Sequence, residues 1–417
     1  MRDCTVLRGN IFRPAEKDGV PLPALFPWSP YGKTEAGYHQ TTSFTHLEVR
    51  HEHLSGARGV NDSEGNIFIL GTQLQGGRDG HDTIEWMAEQ SWSAGNVALV
   101  GNSWLAMTQW YIAVEKPPHL KAIAPWEGIG DFYREIICRG GIPNYAFWDL
   151  LMQEFNKYPL MNDYWEEKRP RLHDINVPVY ILASYSTSLH TEESIRAWNY
   201  AGSEQKWLHN HPTQECFDIY QPFANDEHQR FLDHFLLGKD NGCVNTPHVR
   251  VSLVRYNGAP IIQYQNPLKG QVSYQSDSRD DDGAHFNLTF NEPTELTRSS
   301  QAALYMSCED LDDMDVYHQA AGITEKAIPD VNITMSKRAT AEESDIAENR
   351  LGNREPTELF FLHDKEEKIT PGKVVELKIP LWTGGIAFDP GETLRIEVKW
   401  HDPILPEYPP LHQNLRI

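Results

Sequence analysis

Residues 95–110 read GNVALVGNSWLAMTQW, and this stretch decides the fold around it. Residues 97–100 form a short apolar run typical of a buried strand, and the residues that follow repeat apolar side chains at helical spacing. Ser103 lies alone between the two. A strand that turns sharply into a helix holds the turn residue in a strained, exposed position, which is the geometry of a nucleophile elbow. Ser103 is therefore a candidate nucleophile.

The composition of the 417-residue chain indicates a folded protein with room for two domains. No window approaches the roughly 18 apolar residues that a membrane-spanning helix needs. With 59 acidic and 37 basic side chains, the net charge is -22. A field of that sign opposes nucleic acid and anionic membranes as partners, so we expect a small neutral or cationic substrate.

The N-terminus and the cysteines predict a cytoplasmic protein. The first residues, MRDCTVLRGNIFRP, lack the apolar segment of a signal peptide. The five cysteines are odd in number and scattered, which favours reduced thiols. No CxxC, HExxH or EF-hand spacing occurs, so we expect neither a metal nor a cofactor. The oligomeric state is not fixed by the sequence, and a homodimer stays open.

The first half of the chain alternates apolar runs with helical stretches. Strands are predicted at 23–28, 97–100 and 177–183, and helices at 79–90 and 227–237. This alternation favours a mostly parallel sheet covered on both faces. We predict an α/β domain over residues 1–243.

Residues 134–172 are rich in aromatic side chains and carry no strand signal. A helical cap inserted between two core strands has this composition, and it would roof a pocket at the carboxyl ends of the strands. Ordinary core helices explain the same pattern equally well.

The second half, residues 244–417, changes to short alternating strands separated by DDDG, TPGK and DPGE turns. Many short strands with Gly, Pro and Asp turns predict an all-β domain, and we expect a jelly-roll sandwich.

A serine nucleophile needs a base within hydrogen-bond reach and donors for the oxyanion. In hydrolases with an elbow serine, the histidine follows the serine in the chain. The segment KWLHNHPTQECFD at 206–218 offers two candidates, His209 and His211.

The chain resembles the CocE/NonD family of serine hydrolases, grouped with cocaine esterase and X-Pro dipeptidyl-peptidase, and is most similar to its fungal-type members. The motifs that carry the resemblance are SPYGK at 29–33, GARGVNDSEG at 56–65, residues 79–110, residues 117–135, DDMDVY at 312–317 and GETLRIEV at 391–398. The resemblance implies an α/β-hydrolase domain with a helical cap, followed by a C-terminal jelly roll.

The resemblance also implies roles for individual residues. GNSWLA at 101–106 matches the family's G-x-S-x-x-G with an alanine as its last residue, which makes Ser103 the acylated nucleophile. The backbone N–H of Trp104 and the hydroxyl of Tyr31 would form the oxyanion hole. His211 fits the family's catalytic histidine better than His209.

The predicted substrate pocket contains Trp104, Trp126 and Tyr185. Trp104 follows the nucleophile directly and is expected to face the pocket. Trp126 has the alternative of an ordinary core position.

The acid of the triad is absent from its family position. The family places an aspartate after the strand equivalent to 177–183, where this chain has Ser186 and Thr187. A histidine without its acid loses tautomer control and imidazolium stabilisation. Carboxylates from nearby segments could substitute; the candidates are Glu192, Glu193, Glu215 and Asp218. The segment 33–56 is also shorter than the family pattern.

Three functions follow as alternatives. The first is hydrolysis or transfer of an acyl group from a small ester, amide or thioester by a Ser103–His211 centre. The second is a non-hydrolytic cyclase, acyltransferase or lyase of secondary metabolism on the same fold, and the third is an inactive relative that binds a ligand. The missing acid favours the latter two; the intact elbow and Tyr31 favour the first.

Overall fold

The computed structural model describes most of the first half of the chain and the larger part of the second. The described residues are 1–29, 51–60, 62–66, 73–139, 141–143, 149–184, 190–212, 221–255, 261–263, 279–280, 283–312, 315–323, 333–338, 365–366, 368–399 and 415–416.

The strands and helices alternate up to about residue 240, after which strands dominate. The strands are β1 (Gly9–Phe12), β2 (Leu22–Phe26), β3 (Trp28–Ser29), β4 (His51–Gly56), β5 (Ser93–Asn102), β6 (Leu120–Trp126), β7 (Cys138–Arg139), β8 (Ile142–Pro143), β9 (Val179–Ser184), β10 (Lys206–His211), β11 (Val249–Leu253), β12 (Ile261–Gln263), β13 (Arg279–Asp280), β14 (Gly283–Thr289), β15 (Thr294–Cys308), β16 (Asp315–Ile323), β17 (Ile333–Arg338), β18 (Val375–Phe388), β19 (Thr393–Lys399) and β20 (Leu415–Arg416). The α-helices are α1 (Arg78–Ala88), α2 (Trp104–Val114), α3 (Asp149–Lys157), α4 (Asp163–Glu166), α5 (Thr191–Tyr200) and α6 (Pro222–Leu237). Short π-helical and 3₁₀ segments are Ala15–Lys17, Gln73–Gly77, Tyr133–Ile137, Leu172–Asp174 and Cys243–Asn245.

A large, mostly parallel sheet forms the centre of the first compact unit. Its described strands that lie within this unit have the order β1-β4-β2-β5-β6-β9-β10, and β3 pairs with β4. Strands β2, β4, β5, β6, β9 and β10 pair in parallel, and β1 runs antiparallel to β4. The predicted strands at 23–28, 97–100 and 177–183 are confirmed as β2, β5 and β9. The carboxyl ends of the parallel strands meet at one edge of this sheet.

Helices cover both faces of the sheet, because both faces carry apolar side chains. On β6, Ile123 packs on the face that carries α1 and α2, whereas Ala122 and Ala124 pack on the face that carries α6. Every residue of α2 is buried, so this helix lies within the core rather than on its surface. The structure confirms the α/β architecture predicted for the first half.

The second compact unit contains an all-β domain, as predicted. Its described strands form one sheet in the order β13-β14-β19-β16-β17 and another in the order β18-β15-β20. Met306, Leu377 and Val398 share one core cluster, although they come from strands of the two different sheets. The two layers therefore form a β-sandwich.

The two units do not follow a single cut in the chain. The first comprises residues 1–132, 167–184 and 193–250, and the second comprises 133–166, 185–192 and 251–417. Most of the segment predicted as a cap thus groups with the second unit; it contains β7, β8, α3 and α4.

Within the described residues, no helix combines the length and apolarity needed to cross a membrane.

The N-terminal segment is held to α1 through ion pairs of Arg58. Its guanidinium lies 2.6 Å from Asp79 at the start of α1 and 2.7 Å from Asp3. Hydrogen bonds to Asp79 raise the pKa of Arg58 above its ordinary value. A second pair joins Arg2 to Asp82 at 2.5 Å, with the Arg2 side chain half exposed.

Arg58→Met is expected to lower the free energy of unfolding by about 2 to 3 kcal/mol, because it leaves the buried Asp79 carboxylate without its main cation. Arg2→Met, which breaks the more exposed pair, should cost less than about 1 kcal/mol. Urea denaturation of both variants checks this. Equal losses for the two variants would show that burial of the Arg58 pair has no special weight.

Candidate active site

Ser103 occupies a strained turn between β5 and α2. Its backbone has φ 56° and ψ -120°, a conformation that L-residues rarely adopt. Such strain costs roughly 1–3 kcal/mol and persists only where the surrounding structure enforces it. Gly101 is required two residues earlier, because a Cβ there would lie 2.5 Å from Cβ of Leu105. Steric constraints therefore act at two positions of G-x-S: Gly101 must lack a Cβ, and Ser103 is held in a strained backbone conformation.

Hydrogen bonds to the neighbouring strand fix the turn. The N–H of Ser103 donates to the carbonyl oxygens of Trp126 at 2.9 Å and Glu127 at 3.1 Å. Its own carbonyl accepts the amides of Ala106 and Met107, each at 3.0 Å, which opens α2. Trp104 is the first helical residue, so its N–H lies at the positive end of the helix dipole next to Ser103.

His211 ends β10 at the same edge of the sheet. It pairs with Ser184 on β9, and Leu182 of β9 pairs with Trp126 at the end of β6. The side chain of His211 is 1% exposed, and its Nε2 lies 3.0 Å from Oε1 of Glu127. The sheet register therefore brings a serine, a carboxylate and a histidine to the ends of three parallel strands.

Glu127 links the elbow to the histidine. It follows β6 directly, has φ 51° and is fully buried. Its N–H donates to the carbonyl of Leu182 at 2.9 Å, and its carbonyl accepts the amide of Ser103. One residue thus contacts the nucleophile turn through its backbone and His211 through its carboxylate.

Comparison with known proteins places both halves of the chain. Residues 3–159 match the family described as X-Pro dipeptidyl-peptidase (S15 family). Residues 225–410 match the X-Pro dipeptidyl-peptidase C-terminal non-catalytic domain. A CocE/NonD family hydrolase from Staphylococcus aureus superposes with a TM-score of 0.84 at 28% identity, covering 96% of this chain and 84% of that one. The chain is thus similar to X-Pro dipeptidyl-peptidases of the S15 family and to CocE/NonD family hydrolases over these ranges.

Two further relatives show how far this likeness extends. Cocaine esterase of Rhodococcus sp. (strain MB1 Bresler) is 38% identical over 138 residues, which are 32% of this chain. The match spans only 23% of the length of that esterase. An aminopeptidase from a marine sediment Thaumarchaeota archaeon superposes with a TM-score of 0.71 over 100% of this chain and 92% of its own, and its 15% identity shows the shared fold alone.

Several residues named in the sequence predictions lie outside the described residues. These are Tyr31, Tyr185, Ser186, Thr187, Glu215 and Asp218. Their roles stay predictions.

Glu193, one of the carboxylates that could have replaced the family acid, is buried on α5. It lies 3.8 Å from Arg196 and packs so closely over Gly130 that a Cβ there would meet its carboxylate at 1.9 Å. These contacts tie Glu193 to α5 and to the loop that follows Glu127.

The two predicted pocket tryptophans that the structure describes lie in different surroundings. Trp104 is 7% exposed, and its ring centroid lies 5.8 Å from that of Phe132. Trp126 is fully buried, and its ring centroid lies 4.3 Å from that of His228 in an edge-to-face arrangement. Contact of either ring with a substrate stays a prediction. The surroundings of Trp126 fit its alternative, an ordinary position in the core.

His209, the other candidate base, belongs to a buried ion network. Its Nδ1 lies 3.4 Å from Glu227, which also binds Arg250 and the hydroxyl of Tyr180. Burial lowers the pKa of His209 below its ordinary value. These contacts connect His209 on β10 to Glu227 on α6, Arg250 on β11 and Tyr180 on β9.

The described structure contains no hydrogen bond between the Ser103 hydroxyl and His211. In enzymes without substrate this contact is often long, and it shortens when the substrate binds. The sequence signal for Glu127 was a lone carboxylate directly after a buried strand in the motif at 117–135. It was missed because the acid was sought one strand further along, after β9.

Proposed function

We propose that this protein is a serine hydrolase that attacks the acyl carbon of a small ester or amide with Ser103. The observation that carries the proposal is the backbone of Ser103, held at φ 56° and ψ -120° against the N-terminus of α2. This conformation presents the side chain at the strand edge and places the Trp104 amide beside it, which suits attack on a carbonyl group and stabilisation of the oxyanion.

The reaction runs through an acyl-enzyme. The Oγ of Ser103 bonds to the carbonyl carbon while His211 takes its proton, and the oxyanion accepts hydrogen bonds from the Trp104 N–H and the Tyr31 hydroxyl. The carbon then releases the alcohol or amine, which receives the proton from His211. Water attacks the acyl-enzyme with His211 again as the base, which releases the acid and restores Ser103.

The charge of the chain supports the substrate class. A net charge of -22 repels anions, so a small neutral or cationic ester or amide fits this field best. Similarity to CocE/NonD hydrolases and X-Pro dipeptidyl-peptidases supports either an esterase or a peptidase. Four expectations stay predictions: the fungal-type subgroup, a place in secondary metabolism, a cytoplasmic location and a homodimer.

The alternatives without hydrolysis rested on a histidine that lacks a carboxylate. Because Glu127 lies 3.0 Å from His211, that reason is weakened. Acyl transfer to a nucleophile other than water uses the same Ser103 intermediate, so product analysis separates it from hydrolysis.

Intact-mass analysis after incubation with a fluorophosphonate tests the proposal. The wild-type protein should gain one phosphonyl adduct, because the activated Ser103 oxygen displaces fluoride and His211 accepts the proton. Ser103→Ala should gain none, and His211→Ala should react at least about a hundredfold more slowly.

His209→Gln is the matched control, since it changes a buried histidine on the same strand that also lies beside a glutamate. It should react like the wild type once its fold is verified by circular dichroism. Folded wild-type protein that forms no adduct, or an adduct that persists in Ser103→Ala, would overturn the assignment.

A further inference from the structure

We infer that Glu127 is the carboxylate that orients His211 and stabilises its positive charge, from a strand other than the one that carries the family's acid. This inference rests on the proposed function. The resemblance places the acid after β9, whereas Glu127 follows β6, the direct neighbour of the nucleophile strand β5.

The contact has the geometry of a charge-assisted hydrogen bond. Oε1 of Glu127 and Nε2 of His211 are 3.0 Å apart, and the two side chains are 0% and 1% exposed. Water therefore competes little with the pair, and the carboxylate fixes the ring in one orientation. The ring nitrogen that faces the carboxylate carries the proton in the neutral imidazole, which leaves Nδ1 as the basic nitrogen.

The backbone of Glu127 shows that its position is enforced. A non-glycine residue at φ 51° is strained by roughly 1–3 kcal/mol, and strain of this kind concentrates at functional sites. The strain is held by two hydrogen bonds, from its N–H to Leu182 and from the N–H of Ser103 to its carbonyl. The residue that orients His211 thus also anchors the turn of the nucleophile.

The sheet register lets a carboxylate after β6 contact the same histidine as the acid that the resemblance places after β9. Strand β6 lies between β5 and β9, and all three end at the same edge. Because neighbouring strands are about 4.8 Å apart, a longer side chain on a strand closer to the serine can reach the same imidazole. A glutamate directly after β6 therefore takes the role that the resemblance gives to an aspartate after β9.

The other buried histidine–glutamate pair on β10 differs in kind. Glu227 accepts hydrogen bonds from Arg250 and Tyr180 in addition to its contact with His209. Its charge is compensated by Arg250 whether or not His209 carries a proton. Glu227 therefore stabilises the fold, whereas Glu127 stabilises the protonated form of His211 during the reaction.

The test is the pH profile of phosphonylation by a fluorophosphonate, followed by mass spectrometry. Glu127→Gln keeps the size of the side chain and removes its charge. It should slow the reaction by about 10³- to 10⁴-fold, by analogy with loss of the triad acid in a serine protease. The acid limb of the profile should also move to lower pH, because His211 loses the anion that favours its protonated form. A purely structural role for Glu127 would not move this limb.

Glu127→Asp is the conservative variant, because aspartate tolerates the positive φ and keeps the charge. It should recover part of the rate and bring the acid limb back toward the wild-type pH. If Glu127→Gln does not fold, Glu127→Asp still tests the inference. Its shorter side chain lengthens the contact, so a rate and acid limb identical to those of the wild type would overturn it.

Glu85→Gln is the matched control. Glu85 on α1 lies 2.7 Å from Nδ1 of His119, which precedes β6, in a partly buried pair, and its variant should leave both the rate and the acid limb unchanged. Failure of the two proposals can be told apart. Wild-type protein without an adduct refutes the serine hydrolase; wild-type protein that reacts while folded Glu127→Gln reacts equally fast refutes only the role of Glu127.

Discussion

Ser103→Gly is expected to abolish reaction with a fluorophosphonate and at the same time to stabilise the protein. Loss of the nucleophile costs about six orders of magnitude in a well-studied serine protease, which puts the variant below detection. The gain in stability follows from the backbone, because glycine adopts φ 56° without the steric strain that Ser103 carries. After the entropic cost of glycine in the unfolded chain, we expect about 1 kcal/mol of net stabilisation.

Ser103→Ala is the control that separates the two effects. It also lacks the nucleophile, but its Cβ keeps the strain, so its unfolding free energy should stay within about 0.5 kcal/mol of the wild type. Urea denaturation of the three proteins, together with the mass assay, measures both quantities. Equal stability of the glycine and alanine variants would show that the elbow stores no strain.

The second large effect is acid destabilisation through His228 on α6. This side chain is 1% exposed and packs against the rings of Trp126 and Tyr180. Burial lowers the pKa of His228 to about 3. Its pKa in the unfolded chain is about 6.5, so between these values the unfolded state binds the additional proton. The stabilisation is complete above about pH 6.5 and is lost as the pH falls toward 3.

Between pH 7 and pH 4.5 this single group should remove about 2 to 3 kcal/mol from the unfolding free energy. His228→Phe keeps an aromatic ring in the same place and cannot bind a proton, so its stability should fall less over this range. Urea denaturation at both pH values, for the wild type and the variant, gives the difference. His234→Gln, on the same helix, is the control, because His234 is only partly buried and its described hydrogen bond is to the Lys239 carbonyl. An identical pH dependence in wild type and His228→Phe would contradict the prediction.

The elements that the sequence predicted correctly are those with strong local signals. The apolar run at 97–100 became β5, and the helical spacing after Ser103 became α2, because burial of a continuous apolar segment leaves few alternatives. The alternating strands of the second half became the two sheets of a sandwich for the same reason. Their bounds shifted by a few residues, since hydrogen-bond pairing rather than composition sets where strands end.

The acid of the candidate triad was not predictable in the same way. Glu127 and His211 are 84 positions apart, and their contact depends on the order β5-β6-β9-β10 and on the register of each pair. The resemblance points instead to the position after β9, where the chain has Ser186 and Thr187. The position of Glu127 directly after an apolar run is a weak local signal, because its burial depends on the assembled edge of the sheet.

The sequence by itself determined the architecture and the nucleophile turn of this protein. Apolar periodicity and the sterics of G-x-S act over a few residues, so they are legible in the chain alone. Only the tertiary structure decided which carboxylate contacts His211 and which histidine lies in an ion network. Those outcomes depend on distances between strands that are far apart in sequence, and hydrogen bonding and burial are fixed only when the sheet is complete.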